Sequence, residues 1–163
     1  MNAPAYTLAT LPLFVNSSRG VTAWLSVSQD MIDTFAACTG DHQWIHVDTQ
    51  RAQQESPFGG TIAHGFLTLA LIARFGEELG VVPADTYAAF NYGIEKVRFL
   101  APVRAGVRVR CEITIADVSS AGPGRWLLKT RNTLEIDGET KPALVADVLI
   151  LLSQAAPKTA NSL

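Results

Sequence analysis

With 163 residues and 17.5 kDa, the chain is sized for one domain with a core of its own. Apolar residues make up 48% and charged residues 17%, which fits a soluble globular protein and not a membrane or disordered one. A formal charge of −2 and an isoelectric point near 5.9 argue against a nucleic-acid footprint.

Residues 1–20 are mixed in character and read as a lead-in wrapping the surface. They lack a basic stretch leading into an apolar run, so no secretory signal is expected and the cytoplasm is the expected location. Cys38 and Cys111 form neither a C-x-x-C nor a metal spacing, and fit free thiols in a reducing compartment. Val21–Val27 can make a short strand. Ser28 then reads as a helix N-cap, with Met31, Ile32, Phe35 and Ala36 on one apolar face and Gly40 as the stop. Residues 41–60 read as a loop with one helical turn near Thr49–Gln54.

From Ile62 to Leu79 eleven of eighteen residues are apolar, and they are not confined to one stripe. Such a helix is expected to be buried on most sides. Thr61 is the expected N-cap, and Gly80 and Pro83 mark the end. His64, Arg74, Glu77 and Glu78 interrupt the run, so a membrane span is not expected.

After Pro83 the period changes to two. Val97 and Phe99 alternate with Lys96, Arg98 and Leu100. In Val107–Ile115, Val107, Val109, Cys111, Ile113 and Ile115 face one way and charged or polar residues the other. Trp126–Ile136 and Ala143–Leu152 read as further strands joined through an Asp137-Gly138 turn. One long helix followed by strands at hairpin spacing predicts an α+β fold, an antiparallel sheet wrapped round a single helix. A doubly wound parallel sheet is excluded, because no helical pattern alternates with the later strands.

All three histidines, His42, His46 and His64, lie between Phe35 and Phe75. An acid and an imidazole such as Asp41 and His46, converging on one water, can remove its proton and return another. The plainer reading has Asp41 capping a turn and His46 as an ordinary loop histidine, and D-x4-H spacing alone favours it. His42 and His46 are four apart, and with Asp41, Asp48 and His64 nearby a metal site is conceivable; without an H-E-x-x-H companion none is expected. Gly65 falls in the first helical turn, where free N–H groups and the helix dipole can hold an oxygen gaining charge. It serves equally to let a strand pack closely. His64 is either a supporting hydrogen-bonder or a filler of the helix start. Lys96, Arg98, Arg104, Arg108 and Arg110 would suit the phosphates of an anionic carrier such as coenzyme A, although strand-face charges are more often simply solvated. Asn91 and Tyr92 open a strand and can line a pocket or pack at an edge.

The segments G-D-H-Q-W-I-H-V-D (40–48), P-F-G-G-T-I-A-H-G-F-L-T-L (57–69) and N-Y-G-I-E-K-V-R-F-L-A-P-V-R-A-G (91–106) add what spacing cannot. Together they resemble the hydratase-2 motif of the MaoC-like dehydratases, the (R)-specific enoyl-CoA hydratases of the hot-dog superfamily. Within these the chain is similar to the short, single-domain branch that includes nodulation protein N-like members. The match covers roughly residues 22–152, and hot-dog thioesterases lack the joint motif. The resemblance implies one hot-dog domain over residues 1–163, with a long helix wrapped by an antiparallel sheet and dimerisation through continuous sheets. It implies a catalytic dyad of Asp41 and His46 and a Gly65 backbone N–H in the oxyanion hole. Gln43, His64, Asn91 and Tyr92 are the candidates for substrate binding. The implied substrate is a trans-2-enoyl-CoA hydrated to an (R)-3-hydroxyacyl-CoA, with coenzyme A as part of the substrate and no metal or other cofactor. The family commonly shows Asp-x-Asn-Pro-x-His; here Gln43-Trp44 replaces Asn-Pro. Gln43 offers the same amide on a longer arm, while Trp44 adds bulk that bears on acyl-chain preference. A thioesterase on the same fold and a non-catalytic acyl-CoA binding module are the other readings.

Overall fold

A computed structural model describes residues 4–155. Six strands make one antiparallel sheet: β1 (Ser18–Val21), β2 (Leu25–Ser26), β3 (Ala88–Phe99), β4 (Arg108–Ser120), β5 (Arg125–Ile136) and β6 (Leu144–Ser153). Their spatial order is β1-β4-β5-β6-β3, with β2 also on β4. Helices α1 (Gln29–Thr39), α2 (Trp44–Val47), α3 (Thr49–Glu55) and α4 (Gly65–Glu78) all precede β3. Leu67, Leu71, Ile72 and Phe75 of α4 are buried in the same core as Val109, Cys111, Ile113 and Ile115 of β4. This is the α+β arrangement the strand and helix patterns predict.

The local signals hold where the chemistry is local. Ser28 Oγ accepts the Met31 N–H at 3.3 Å, and Gly40 ends α1 in the left-handed conformation at φ 78°. Val109 to Ile115 alternates as expected, and the outward Arg108 and Arg110 pair with Asp137 and Glu135. At the Asp137-Gly138 turn, Gly138 takes φ 79° and Glu139 N–H donates to Ile136 O at 3.1 Å.

Four expectations are corrected. The N-terminal segment does more than wrap the surface: Leu8 and Leu11 are core residues, and residues 18–21 form β1. The single strand expected over Val21–Val27 is two short strands. Between them, Thr22 turns in to pair with Cys111 through N–H and hydroxyl, both at 3.0 Å. Residues 41–60 hold two helices, because α2 is one turn and too short to show a period.

The fourth concerns α4, which starts at Gly65 and not at Ile62. The apolar residues Ile62 and Ala63 are extended: Ile62 bridges Arg104, and Ala63 N–H donates to Val103 O at 2.7 Å. Thr61 is no N-cap, since its hydroxyl donates to Gln29 Oε1 at 2.5 Å. Nor is α4 buried on most sides. Phe66 is 71% exposed, and Ala70 and Ala73 are exposed too, facing a hollow beside β3. Among the described residues no helix is long and apolar enough to cross a membrane.

Both cysteines are free, Cys38 exposed and Cys111 buried. Burial pushes the Cys111 thiol up from its ordinary 9.0 to about 12. The unfolded chain releases that proton near 9, so this contribution to stability is whole below pH 9 and is lost as pH climbs from about 9 to about 12. Burial pushes Tyr6 the same way, to about 12, against the opposing charge of Arg19. We expect Ellman titration of the native protein at pH 8 to count one fast thiol, Cys38, with the second appearing only in denaturant. Two fast thiols would contradict the burial of Cys111.

Candidate active site

The site forms where the C-terminus of α1, the turn of α2 and the N-terminus of α4 meet. Gly40 closes α1 and delivers Asp41 to the surface, where its carboxylate is half exposed and Oδ1 accepts the Gln43 N–H at 3.4 Å. The single turn of α2 then carries His46 inward to 8% exposure. The extended run 61–63 ends at His64, the residue capping α4, which is 3% exposed.

The two buried imidazoles stack, with centroids 3.8 Å apart and planes 27° from parallel, and the Phe35 ring lies 5.1 Å from His64. His46 Nδ1 is 2.7 Å from Ile62 O. A carbonyl only accepts, so Nδ1 carries the proton and Nε2 keeps the lone pair in the neutral ring. His64 Nε2 is 2.9 Å from the Asp41 backbone O and 4.0 Å from Asp41 Oδ2. By the same reasoning its Nε2 is protonated; its Nδ1 is buried without a hydrogen-bond partner among the described residues. Ligand atoms of Asp41, His46 and His64 all lie within 4.8 Å of one another. One acid and two imidazoles at this range can relay protons through a shared water or converge on a cation. His42 and Asp48 are exposed and are not part of this group.

Gly65 is the first residue of α4. The first helical bond of that turn is Thr68 N–H to His64 O, at 3.2 Å. The N–H groups of Gly65, Phe66 and Leu67 therefore carry the positive end of the dipole outward. A Cβ on Gly65 would stand 3.2 Å from the Phe99 ring. Two hollows flank this helix end. A smaller one of about 270 Å³ is lined by His46, Gly65, Phe99 and Pro102. A larger one of about 1130 Å³ runs from Phe35 and Phe66 along α4 to Val148 and Ile150.

The structure thus gathers Asp41, His46, His64 and Gly65. Gln43 sits exposed at the start of α2, with only its backbone N–H directed to Asp41. Asn91 and Tyr92 are exposed on β3 and border the larger hollow, whose lining includes none of Asp41, His46 and His64. Trp44 is covered by the Arg51 guanidinium at 4.3 Å. Of the five clustered basic residues, Arg108, Arg110 and Lys96 face carboxylates, whereas Arg98 and Arg104 donate to the Val97 and Gly59 carbonyls.

Gln29 and Thr61 are the residues that sequence reasoning missed. Gln29 Nε2 donates to His46 O at 2.8 Å and to Asp33 Oδ1 at 2.7 Å, while its Oε1 accepts from Thr61. One side chain thereby ties α1 to α2 and to the approach to α4. Its partners lie 17 and 32 positions away, so no local pattern could disclose it. Gln29→Leu is expected to lower stability by about 1–2 kcal/mol by stranding the His46 carbonyl and the Thr61 hydroxyl. Urea unfolding checks this, and an unchanged midpoint would mean the tie carries no weight.

The MaoC like domain family matches residues 14–132. The 3-hydroxyacyl-thioester dehydratase Z of Mycobacterium tuberculosis (strain ATCC 25618 / H37Rv) is 42% identical over 144 residues, 88% of this chain and 94% of the relative. Nodulation protein N of Rhizobium leguminosarum bv. viciae is 39% identical over 146 residues, 90% of this chain and 91% of the relative. Among solved structures, the R-hydratase PhaJ1 from Pseudomonas aeruginosa in its unliganded form superposes with a TM-score of 0.65. It is 23% identical and covers 86% of this chain and 83% of that one, a likeness of fold.

Proposed function

The chain belongs to the MaoC-like dehydratase family and is a hydro-lyase; we propose that it catalyses the reversible addition of water to a trans-2-enoyl-CoA, giving an (R)-3-hydroxyacyl-CoA. The observation that carries the proposal is the meeting of Asp41, His46 and His64 within 4.8 Å beside the N-terminus of α4. The dehydratase name of the mycobacterial relative and the R-hydratase title of the structural neighbour support the same chemistry.

In this reading the thioester carbonyl withdraws charge from the double bond and leaves the β-carbon electrophilic. A water is held between Asp41 and His46. His46 Nε2, the lone-pair nitrogen, takes one proton as the water oxygen bonds to the β-carbon. The pair of the carbon–carbon double bond shifts to join the α-carbon to the carbonyl carbon, and the carbonyl pair moves onto its oxygen, where the Gly65 N–H stabilises the charge. The proton then returns to the α-carbon through the same pair of residues. The step needs neither a metal nor a redox cofactor. The larger hollow takes the acyl chain, and the smaller one, beside Phe99 and Pro102, takes the start of the carrier arm. Arg98 and Arg104, which pair with no carboxylate among the described residues, are the candidates to meet carrier phosphates.

We also propose a homodimer. β3 is an edge strand carrying Phe90, Tyr92 and Ile94 at 56%, 64% and 50% exposure. An apolar edge of that length invites a second β3 to continue the sheet. Two free thiols support a reducing, cytoplasmic setting.

The test is loss of enoyl-thioester absorbance with purified protein and crotonyl-CoA, run beside a thiol reagent, with the alcohol product resolved for handedness. Loss of absorbance without thiol release, giving the (R)-alcohol, is expected. Thiol release would make the protein a thioesterase. Silence on both, with acyl-CoA still bound, would leave a binding module.

A further inference from the structure

Asp41 is the least anchored member of the site. It follows Gly40, outside any helix or strand, and its side chain is 54% exposed. Among the described residues it makes three hydrogen bonds. Its N–H donates to Thr39 Oγ1 at 3.4 Å, and its Oδ1 accepts the Gln43 N–H at 3.4 Å. Both are long for N–H···O bonds. The third is short: its backbone O accepts the His64 Nε2–H at 2.9 Å. That bond spans 23 positions and ties the turn after α1 to the start of α4.

His64, by contrast, is fixed from both sides. Ala63 N–H donates to Val103 O at 2.7 Å, and His64 O accepts the Thr68 N–H at 3.2 Å as α4 begins. The ring is 3% exposed, stacks on His46 at 3.8 Å and lies 5.1 Å from the Phe35 ring. Local rules do not ask for a histidine here. Residue 64 is the N-cap of α4, where serine, threonine, asparagine or aspartate would bond a free helical N–H; His64 makes no such bond. Its Nδ1 is also buried with no hydrogen-bond partner among the described residues, which is unfavourable. Proteins break local rules of this kind at functional positions. The same residue immediately precedes Gly65. One rigid histidine thus grips the acid by a hydrogen bond and the base by its ring face, and its own chain runs on into the oxyanion donor.

We propose that His64 is the positioning residue that sets Asp41, His46 and the Gly65 N–H relative to one another, acting chiefly through its hydrogen bond to the Asp41 backbone. This rests on the hydratase reading above and adds a residue to its machinery. His64 exchanges no proton in the reaction: its Nε2–H stays on the Asp41 carbonyl while Asp41 and His46 handle the water. Loss of that bond leaves both hollows as they are, because His64 lines neither, and misplaces the acid instead. A displacement of about 1 Å in a reacting group costs on the order of 100-fold in rate.

Two substitutions in the full chain separate the contacts. His64→Phe keeps a ring against His46 and loses the N–H; His64→Gln keeps an N–H donor and loses the ring. With crotonyl-CoA, His64→Phe should lower kcat by about 100-fold with KM changed by about twofold or less, and His64→Gln should recover about tenfold of that loss. Placed in an Asp41→Asn background, His64→Phe should slow the enzyme by about twofold at most, because the residue it acts through is already disabled. Amide relaxation by NMR supplies a readout free of substrate: the backbone of residues 40–42 should gain motion in His64→Phe and not in His64→Gln. Wild-type kcat in a folded His64→Phe overturns the assignment. So do equal losses in the two variants, or an undiminished loss in the Asp41→Asn background, as a merely structural role would give. Should His64→Phe fail to fold, His64→Met, which also lacks a donor, takes its place. Failure of the wild type to hydrate any enoyl-CoA would sink the hydratase reading, and the relaxation comparison would still decide whether His64 holds Asp41. Hydration by the wild type with unchanged motion of residues 40–42 in His64→Phe would do the reverse.

Discussion

Asp41→Asn and His46→Gln are each expected to lower kcat for crotonyl-CoA hydration by about 100-fold to 10,000-fold, the range that positioned acid–base groups supply. Asp41→Asn preserves the side-chain shape and the oxygen that accepts the Gln43 N–H, so the turn after α1 survives. What disappears is the charge that, in the proposed mechanism, orients the water. His46→Gln keeps a donor for the Ile62 carbonyl but removes the second ring nitrogen, the one left with a lone pair. Asp41 lines neither hollow and His46 only the smaller one, so KM should move less than kcat, and least in Asp41→Asn. Because the two residues would act on one water, the double variant should be scarcely slower than the worse single one. Progress curves with matched circular dichroism check all three statements. Near wild-type kcat in either folded single variant would remove the dyad from the mechanism.

Phe75→Ala should destabilise the protein by about 3–5 kcal/mol, typical for deleting a buried aromatic side chain. Phe75 is fully buried on the face of α4 that packs against the sheet, in one cluster with Val81, Ile113 and Leu134. Folding free energies are about 5–15 kcal/mol, so the variant would sit near the edge of stability. Phe66, nine residues earlier on the same helix, is 71% exposed, and truncating it should change the stability of the single chain by about 0.5 kcal/mol or less. Denaturant unfolding of the two variants side by side reads the orientation of α4 directly. Comparable losses would mean that the helix is turned differently from the arrangement described.

Much of this was legible in the residues, for a definite reason. Ser28 and Gly40 bound α1 by interactions reaching three or four positions along the chain, and such chemistry is written locally. The alternation from Val109 to Ile115 shows because a strand with one buried face must repeat every second residue. Thr61 misled because an oxygen before an apolar run looks like a cap wherever its real partner is distant, here Gln29. Ile62 and Ala63 misled because apolar residues satisfy a buried bridge to residues 103–104 as well as a helix face. At the site, spacing offered D-x4-H and no more. The family resemblance nominated Asp41, His46 and Gly65, and the fold brings them together, but it takes geometry to add that His64 stacks on His46 and that Gln29 holds its backbone. Asn91 and Tyr92, read from their place at the start of a strand as able to line a pocket, border the larger hollow.

The two histidine rings are each held by a backbone carbonyl, His46 by that of Ile62 and His64 by that of Asp41. A carbonyl is present whatever side chain its residue bears. Evolution can therefore exchange the residue at 62 for another of similar shape without disturbing which nitrogen of His46 holds the proton. A tautomer fixed by a neighbouring glutamate or serine would be lost with one base change. Here the proton pattern is inherited with the path of the chain, so it persists as long as the fold does, and selection is left free to alter the walls that choose the acyl group.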